Sequence, residues 1–303
     1  MNRGTTASRQ VIGWALLYLA FSSPLHAADY RFVSIDVPDA VQTKAFGINA
    51  RGHISGIYVD PDGISHSFRL RNGVFETIDV PGAAATLAAR GINARGDIAG
   101  NINDADTTFH GYLRIDGKFR QIDYPGSTHT FVYAINNAGD IGGEFLNAED
   151  NLSAFIRKNG KFYEVNLPGE TTRANVRSIQ DNGRVLVGGF ISSSGGHGFV
   201  RSRPGEFEIV DYPGQSTPCS LVEYINERGE MVGSFSEVET AEECDHPSMS
   251  HGYLLRNGKF RVIDFPGVAA TQLHSINNDG VIVGEFRDSS GTIHGFKAVP
   301  RQR

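Results

Sequence analysis

Histidine and aspartate recur in this chain at a nearly constant offset, and a histidine held by a carboxylate is half of a nucleophile-activating triad. His66 is followed by Asp79, His110 by Asp123, His197 by Asp211 and His251 by Asp264. Each His opens a triplet such as H-G-F or H-G-Y, and each Asp closes a stretch such as F-E-T-I-D. Between them lie Asn72-Gly73, Asp116-Gly117 and Asn257-Gly258, dipeptides that favour two-residue hairpin turns of type I′. Counting outward from each turn sets His opposite Asp, and the loop Arg203-Pro204-Gly205 does the same for His197 and Asp211. Opposed side chains on paired strands lie ~4.5–5.5 Å apart at Cβ, within reach of a hydrogen bond. In the third copy both partners change together, to Ser153 and Asn166. His294 has no such Asp after it, but Asp36, near the start, stands in the same motif. Five pairs spread along a chain cannot share one active site. They are expected to be cross-strand locks that satisfy polar groups, and no catalytic residue is assigned.

The elements that carry these pairs repeat six times, about every 43 to 53 residues. The F-x-x-I-D-x-P landmark ends at Pro38, Pro81, Pro125, Pro168, Pro213 and Pro266. An I-N-x-x-G turn follows, with Asn49, Asn93, Asn136, Gln180, Asn226 and Asn277 at its second position. Each copy reads as four short strands, with turn chemistry between them and no sustained helical period. The fold class is therefore all-β: a six-bladed β-propeller of four-stranded antiparallel blades. The last copy lacks its F-x-x-I-D strand and the chain begins with one, Phe32 to Pro38. The N-terminal strand is expected to join the last blade and close the ring, setting His294 against Asp36.

The triplets HSF, HGY, SAF, HGF, HGY and HGF, with the I-N-x-x-G turn and the I-D-x-P-G segment, resemble the HAF-repeat family of probable extracellular bacterial repeat proteins. The resemblance runs from Arg31 to Phe296. It implies export and a repeat array, and it transfers no catalytic residue.

Residues 1–28 have the form of a secretory signal peptide: Arg3 and Arg9, an apolar core from Val11 to Phe21, and cleavage near Ala27 or Ala28. The apolar run is short for a membrane span. Residues 29–303 then form a single domain, secreted or periplasmic, with no membrane span after signal removal. The net charge is −6 with no basic run, which argues against nucleic acid as a partner. Cys219 and Cys244 both lie in the enlarged fifth copy and are expected to form a disulfide in an oxidising compartment. No metal is assigned. The acidic loops holding Asp60 and Asp62, and Asp104 and Asp106, offer oxygens at alternate positions for calcium, but turn chemistry explains them as well.

A binding site is sought where the copies disagree. Two places before the Ile of the I-N turn stand Phe46, Arg90, Tyr133, Arg177, Glu223 and His274. Arg90, Tyr133, Arg177, Glu223 and His274 are nominated as channel or rim residues, with Lys44, His129 and Arg173 as weaker neighbours, beside the plainer reading of solvated or locally paired side chains; convergence in a pocket of ligand size, roughly 300–1,000 Å³, would separate the functional readings. The reading is an exported, monomeric, non-catalytic binding propeller for a small molecule, a glycan or an envelope protein. The alternative is an exported hydrolase or lyase with one site at the channel face, in which Glu223 and His274 form the acid–base pair and Arg90 and Arg177 hold an anionic substrate.

Overall fold

The structure is a computed structural model that describes residues 29–301 apart from 168, 170 and 246–249. The signal peptide expected at 1–28 and the landmark Pro168 lie outside the described residues. The repeats fold as antiparallel strands that step outward from a central channel. In the first, the order is Gln42–Ile48, Ile54–Val59, Ser65–Arg71 and Val74–Ile78, innermost to outermost. Among the described residues, four sheets have four strands, and one of eight runs from Thr130–Ile135 to Glu206–Val210. The sequence predicts separate sheets throughout. The structure departs because Leu152 pairs parallel with Arg173, and the Leu152 amide donates to the Thr172 carbonyl at 3.3 Å. Tyr30–Ile35 pairs antiparallel with Ile293–Pro300, from Tyr30 opposite Pro300 to Ile35 opposite Gly295, so the first described strand completes the last sheet.

The six inner strands, Gln42–Ile48, Ala85–Ile92, Thr130–Ile135, Arg173–Ile179, Ser220–Ile225 and Ala270–Ile276, pack side by side around the channel, the last against the first. Apolar clusters lie between successive sheets. One joins Ala99, Leu113 and Ile122 of the second repeat to Val132, Ile141 and Phe155 of the third. The aromatic of each triplet, Phe68, Tyr112, Phe155, Phe199, Tyr253 or Phe296, is fully buried. Covering both faces of each sheet explains why Phe75 and Ile78, which face opposite ways on one strand, are both apolar.

Every inner strand has a register shift at one shared place, after Ala45, Ala89, Val132, Val176, Val222 or Leu273, and Ala85–Ile92 has a second between Thr86 and Ala89. The extra residue is a β-bulge, which bends the strand and re-aims one side chain. Its cause sits on the neighbouring strand, where Gly56, Gly100, Gly143, Gly188, Gly233 and Gly284 lie opposite the shift. A Cβ on Gly56 would meet the Lys44 carbonyl oxygen, and one on Gly143 the Phe131 carbonyl. Glycine inside a strand marks such a close backbone approach.

Three residues beyond each bulge the turn amides form a circle. Asn49 Nδ2 donates to the Asn93 carbonyl at 2.9 Å, Asn93 to Asn136 at 3.3 Å, and Asn136 to Gln180 at 3.2 Å. Gln180 Nε2 donates to Asn226 at 2.6 Å, Asn226 to Asn277 at 3.1 Å, and Asn277 back to Asn49 at 3.4 Å. Each Asn spends its side-chain oxygen on its own turn: Asn49 Oδ1 accepts from the Arg51 and His53 amides, both at 3.0 Å. Gln180 divides this work. Its longer arm reaches Asn226, while Asn182 caps the turn by accepting from the Arg184 amide at 2.7 Å. These amides are nearly all buried, so losing one strands a donor or acceptor at a cost of about 1–3 kcal/mol.

The His–Asp contacts are formed at Nδ1: His66 with Asp79 at 2.9 Å, His110 with Asp123 at 2.6 Å, and 2.8 Å for His197–Asp211, His251–Asp264 and His294–Asp36. Ser153 instead accepts from Asn147 Nδ2 at 2.9 Å, across its own loop. His66 and His294 each touch a second aspartate through Nε2, Asp60 at 3.3 Å and Asp288 at 3.4 Å. Partial burial opposes charge on these two rings, but the paired carboxylates outweigh it and raise both pKa values. Hydrogen bonds from Ser290, Thr292 and His294, set against a small desolvation cost, bring Asp288 down to about 2.

Two outcomes follow from these contacts. Asn136→Asp keeps the turn cap but loses the amide donors; it should cost about 1–3 kcal/mol, and Asn136→Ala, which also loses the cap, about 1 kcal/mol more. Urea unfolding reads both, and equal losses would contradict the division of labour. For pH, the folded His66 and His294 pKa values lie above the ordinary ~6.5, so their contribution is full below ~6.5 and fades as pH rises through the raised values. Asp288 contributes above its ordinary ~3.9 and loses it as pH falls towards 2. The urea midpoint should therefore fall from pH 6 to 9, and a His66→Gln, His294→Gln double variant should flatten that limb. A wild-type midpoint that is level across the range would contradict it.

Candidate functional site

The six bulges place Phe46, Arg90, Tyr133, Arg177, Glu223 and His274 around one hollow in the channel. All five nominated residues therefore converge. They interleave as alternating rings and charges. The Arg90 guanidinium lies 4.3 Å from the Phe46 ring centre and 5.2 Å from that of Tyr133, and Arg177 lies 4.3 Å over Tyr133. Desolvated cation–π contacts of this kind contribute about 2 kcal/mol. Glu223 is the shared counter-ion, with an oxygen 4.0 Å from Arg90, one 3.8 Å from Arg177 and one 3.8 Å from His274. These separations are ion pairs without a hydrogen bond, and Arg177 Nη1 and His274 Nδ1 are buried with no hydrogen-bond partner.

The network runs on to residues that the sequence reading passed over. His274 Nε2 meets Glu285 at 3.2 Å, and Glu285 accepts from Lys44 Nζ at 3.1 Å. Tyr133 donates to Glu144 at 2.7 Å, and Glu144 also accepts from Arg173 at 2.8 Å. Glu144 and Glu285 occupy one repeat position, the residue after the bulge-facing glycine, where the other copies have Ile57, Asn101, Gly189 and Ser234. That second variable position was visible in the sequence. Lys44 and Arg173 thus serve as partners of buried carboxylates, while His129 accepts from the Phe109 amide at 3.1 Å, farther out.

Burial alone would raise the carboxyls of Glu223 and Glu285. The cations around them prevail: Arg177, His274 and Arg90 take Glu223 to about 2, and His274 and Lys44 do the same for Glu285. Burial alone would lower His274, and the two carboxylates raise it instead. Burial, with Glu144 adding to it, pushes the Tyr133 hydroxyl pKa up.

The five residues do not themselves enclose a ligand-sized pocket. Their hollow has a volume of about 20 Å³, room for about one water, because arginine and aromatic side chains fill the channel. A larger cavity of about 230 Å³ opens beside this plug, reached by Arg90, Arg177, Glu223 and His274 but not by Tyr133. It lies where the fourth and fifth repeats carry the small Gly189 and Ser234 at the second variable position. The Cys219–Cys244 disulfide, with Cα atoms 5.5 Å apart, forms part of its wall. Gly196 makes room for it, since a Cβ there would stand 3.1 Å from Cys244 Sγ.

The acidic loops are committed elsewhere. Asp60 Oδ1 accepts from the Asp62 and Ile64 amides at 3.0 and 2.8 Å, and Oδ2 faces His66. Asp106 caps Thr108 at 3.1 Å, and Asp104 faces His110 at 3.2 Å. Among the described residues no group of three or more His, Cys, Asp or Glu could hold a metal ion, and no helix is long and apolar enough to cross a membrane.

No protein-family model matches the chain, and no curated protein matches it. Solved structures do. A triple mutant of AofleA from Arthrobotrys oligospora is similar with a TM-score of 0.54, at 13% identity over 90% of each chain. A gluconolactonase from Xanthomonas campestris is similar at 0.54, with 11% identity over 93% of this chain and 96% of its own. The lectin of Aleuria aurantia, solved with a fucose-containing disaccharide, is similar at 0.50, with 8% identity over 88% of this chain and 98% of its own. At these identities the likeness is one of fold: the chain is an all-β propeller.

Glu223→Gln tests the plug. It leaves Arg90, Arg177 and His274 without their common anion and should cost about 3 kcal/mol in urea unfolding, with the His274 pKa falling when followed by NMR. Unchanged stability and an unchanged His274 titration would contradict the ion network.

Proposed function

We propose that the protein is an exported binding propeller that takes one small ligand at the cavity beside the channel plug. We count the eight-stranded sheet as two blades, which gives six around the channel, and we place the chain with the HAF-repeat proteins on its six sets of landmarks. The observation that carries the binding reading is the convergence of one side chain from each inner strand, of five different types among the six, next to a cavity where the fourth and fifth repeats carry small residues. A site made this way is not written into each repeat. It differs in kind from a lectin site written into every blade. The similar propellers include a lectin and a gluconolactonase, so fold alone favours neither binding nor catalysis.

The electrostatics favour binding. A general base works best with a pKa near the working pH, whereas Glu223 sits at about 2 among three cationic groups. His274 lies between two carboxylates that raise its pKa against the effect of burial. Such groups are set to hold fixed charge. The disulfide supports an oxidising compartment, extracellular or periplasmic.

A thermal-shift screen of monosaccharides, disaccharides and sugar acids, followed by calorimetry, tests the reading. The expected result is a saturable ligand with one site per chain and no chemical change in the ligand. Six equivalent sites per chain, or turnover of the ligand, would contradict it.

A further inference from the structure

The cavity beside the plug has an unusual lining for an acidic protein. Arg177 and His274 line it on side chains 10% and 4% exposed, and each carries a buried nitrogen, Nη1 and Nδ1, without a hydrogen-bond partner. Ser234 Oγ is a third buried polar atom there with no partner. Buried donors are nearly always satisfied, so three unpartnered ones on residues that line one cavity mark it as the place for an acceptor. Charge agrees with this. Lys44, Arg90, Arg173 and Arg177 face Glu144, Glu223 and Glu285 through the network, an excess of one cation before the charge of His274 is added. The remaining wall includes the polar Ser236 and Gln272 and the apolar Phe235. A volume of about 230 Å³ admits a molecule the size of a monosaccharide.

We propose that this cavity binds a small hydroxylated carboxylate, of sugar-acid size, with its carboxylate on Arg177, His274 and Ser234. The inference rests on the single-site binding reading and narrows it to one ligand class. The carboxylate takes the hydrogen bonds that Glu223 is too distant to accept. Arg177 is held in place: its Nε donates to Asn175 Oδ1 at 2.9 Å, and its Nη1 is left without a hydrogen-bond partner. The specificity is structural in origin. In the first repeat the position of Ser234 is held by Ile57, and in the third and sixth by Glu144 and Glu285, so the cavity cannot form between those repeats.

Calorimetry with glucuronate, glucose and sulfate as probes tests the proposal on the intact protein. Glucuronate should bind at least tenfold more tightly than either of the others, with affinity that weakens as salt rises. Arg177→Gln should lose most of that affinity. Because this variant can also lose stability, Ser234→Ile is the companion: it copies the first repeat's own residue, fills the cavity, and should abolish glucuronate binding while the melting temperature stays within a few degrees. Equal binding of glucose and glucuronate, lost in Ser234→Ile, would overturn the carboxylate assignment and leave the binding reading standing. Sulfate binding as tightly as glucuronate would overturn the sugar-acid class, leaving oxyanion charge as what is recognised. Binding by none of the probes, or binding untouched by Ser234→Ile, would overturn the proposal outright.

Discussion

A circle of six side-chain amides sets the geometry on which the channel depends. Each turn residue from Asn49 to Asn277 gives its N–H to the next turn's carbonyl, and the last gives to the first. Closure matters because a sheet in a ring contacts its two neighbours, and these amides tie each inner turn to the next around the whole circle. The bulge residue lies three positions before each amide. The circle therefore places Phe46, Arg90, Tyr133, Arg177, Glu223 and His274 in a single layer, where rings and charges can interleave. A slip of one residue in any strand would turn its side chain to the opposite face and break the stack.

Much of this was legible in the sequence, and for physical reasons. Turn dipeptides fix hairpin register, so counting outward from Asn72-Gly73 or Asp116-Gly117 located the His–Asp partners. The missing outer strand of the last repeat and the surplus strand at the start pointed to each other. Disagreement among repeats at the Arg90 position pointed to the channel, because a residue whose role is packing should not change from Phe to Arg to Glu. What stayed hidden depends on packing in three dimensions. The bulge had a signal, a glycine in every second strand, but its meaning lies in a carbonyl on the neighbouring strand. The size of the hollow could not be read at all, since Arg90 and Arg177 fill it only by stacking on Phe46 and Tyr133. The joining of two sheets rests on one pair, Leu152 and Arg173, with no motif to announce it. The third repeat's Ser153 looked like the partner of Asn166 by register, yet bonds to Asn147 across a shorter distance along the chain.

The plug and the cavity are two consequences of one arrangement. Large residues at both variable positions fill the channel in most of the ring, and their charges are balanced in pairs: Lys44 with Glu285, Arg173 with Glu144. The fourth and fifth repeats have Gly189 and Ser234 instead, so the arginines beside them keep their charge and lose part of their pairing. The fold is thus regular where six repeats must agree, at turns, triplets and glycines. It is irregular where the fourth and fifth repeats leave the cavity beside the plug.

The most direct test of the closed circle is amide hydrogen exchange, turn by turn, in Asn277→Asp. This variant keeps the oxygen that caps its own turn and removes the donor to Asn49. The account predicts that protection is lost not only at Asp279 and Val281 but across the junction at His53 and onward to Asp97, since the ring has been opened at that point. Loosening confined to the Asn277 turn, with His53 and Asp97 as protected as before, would contradict it.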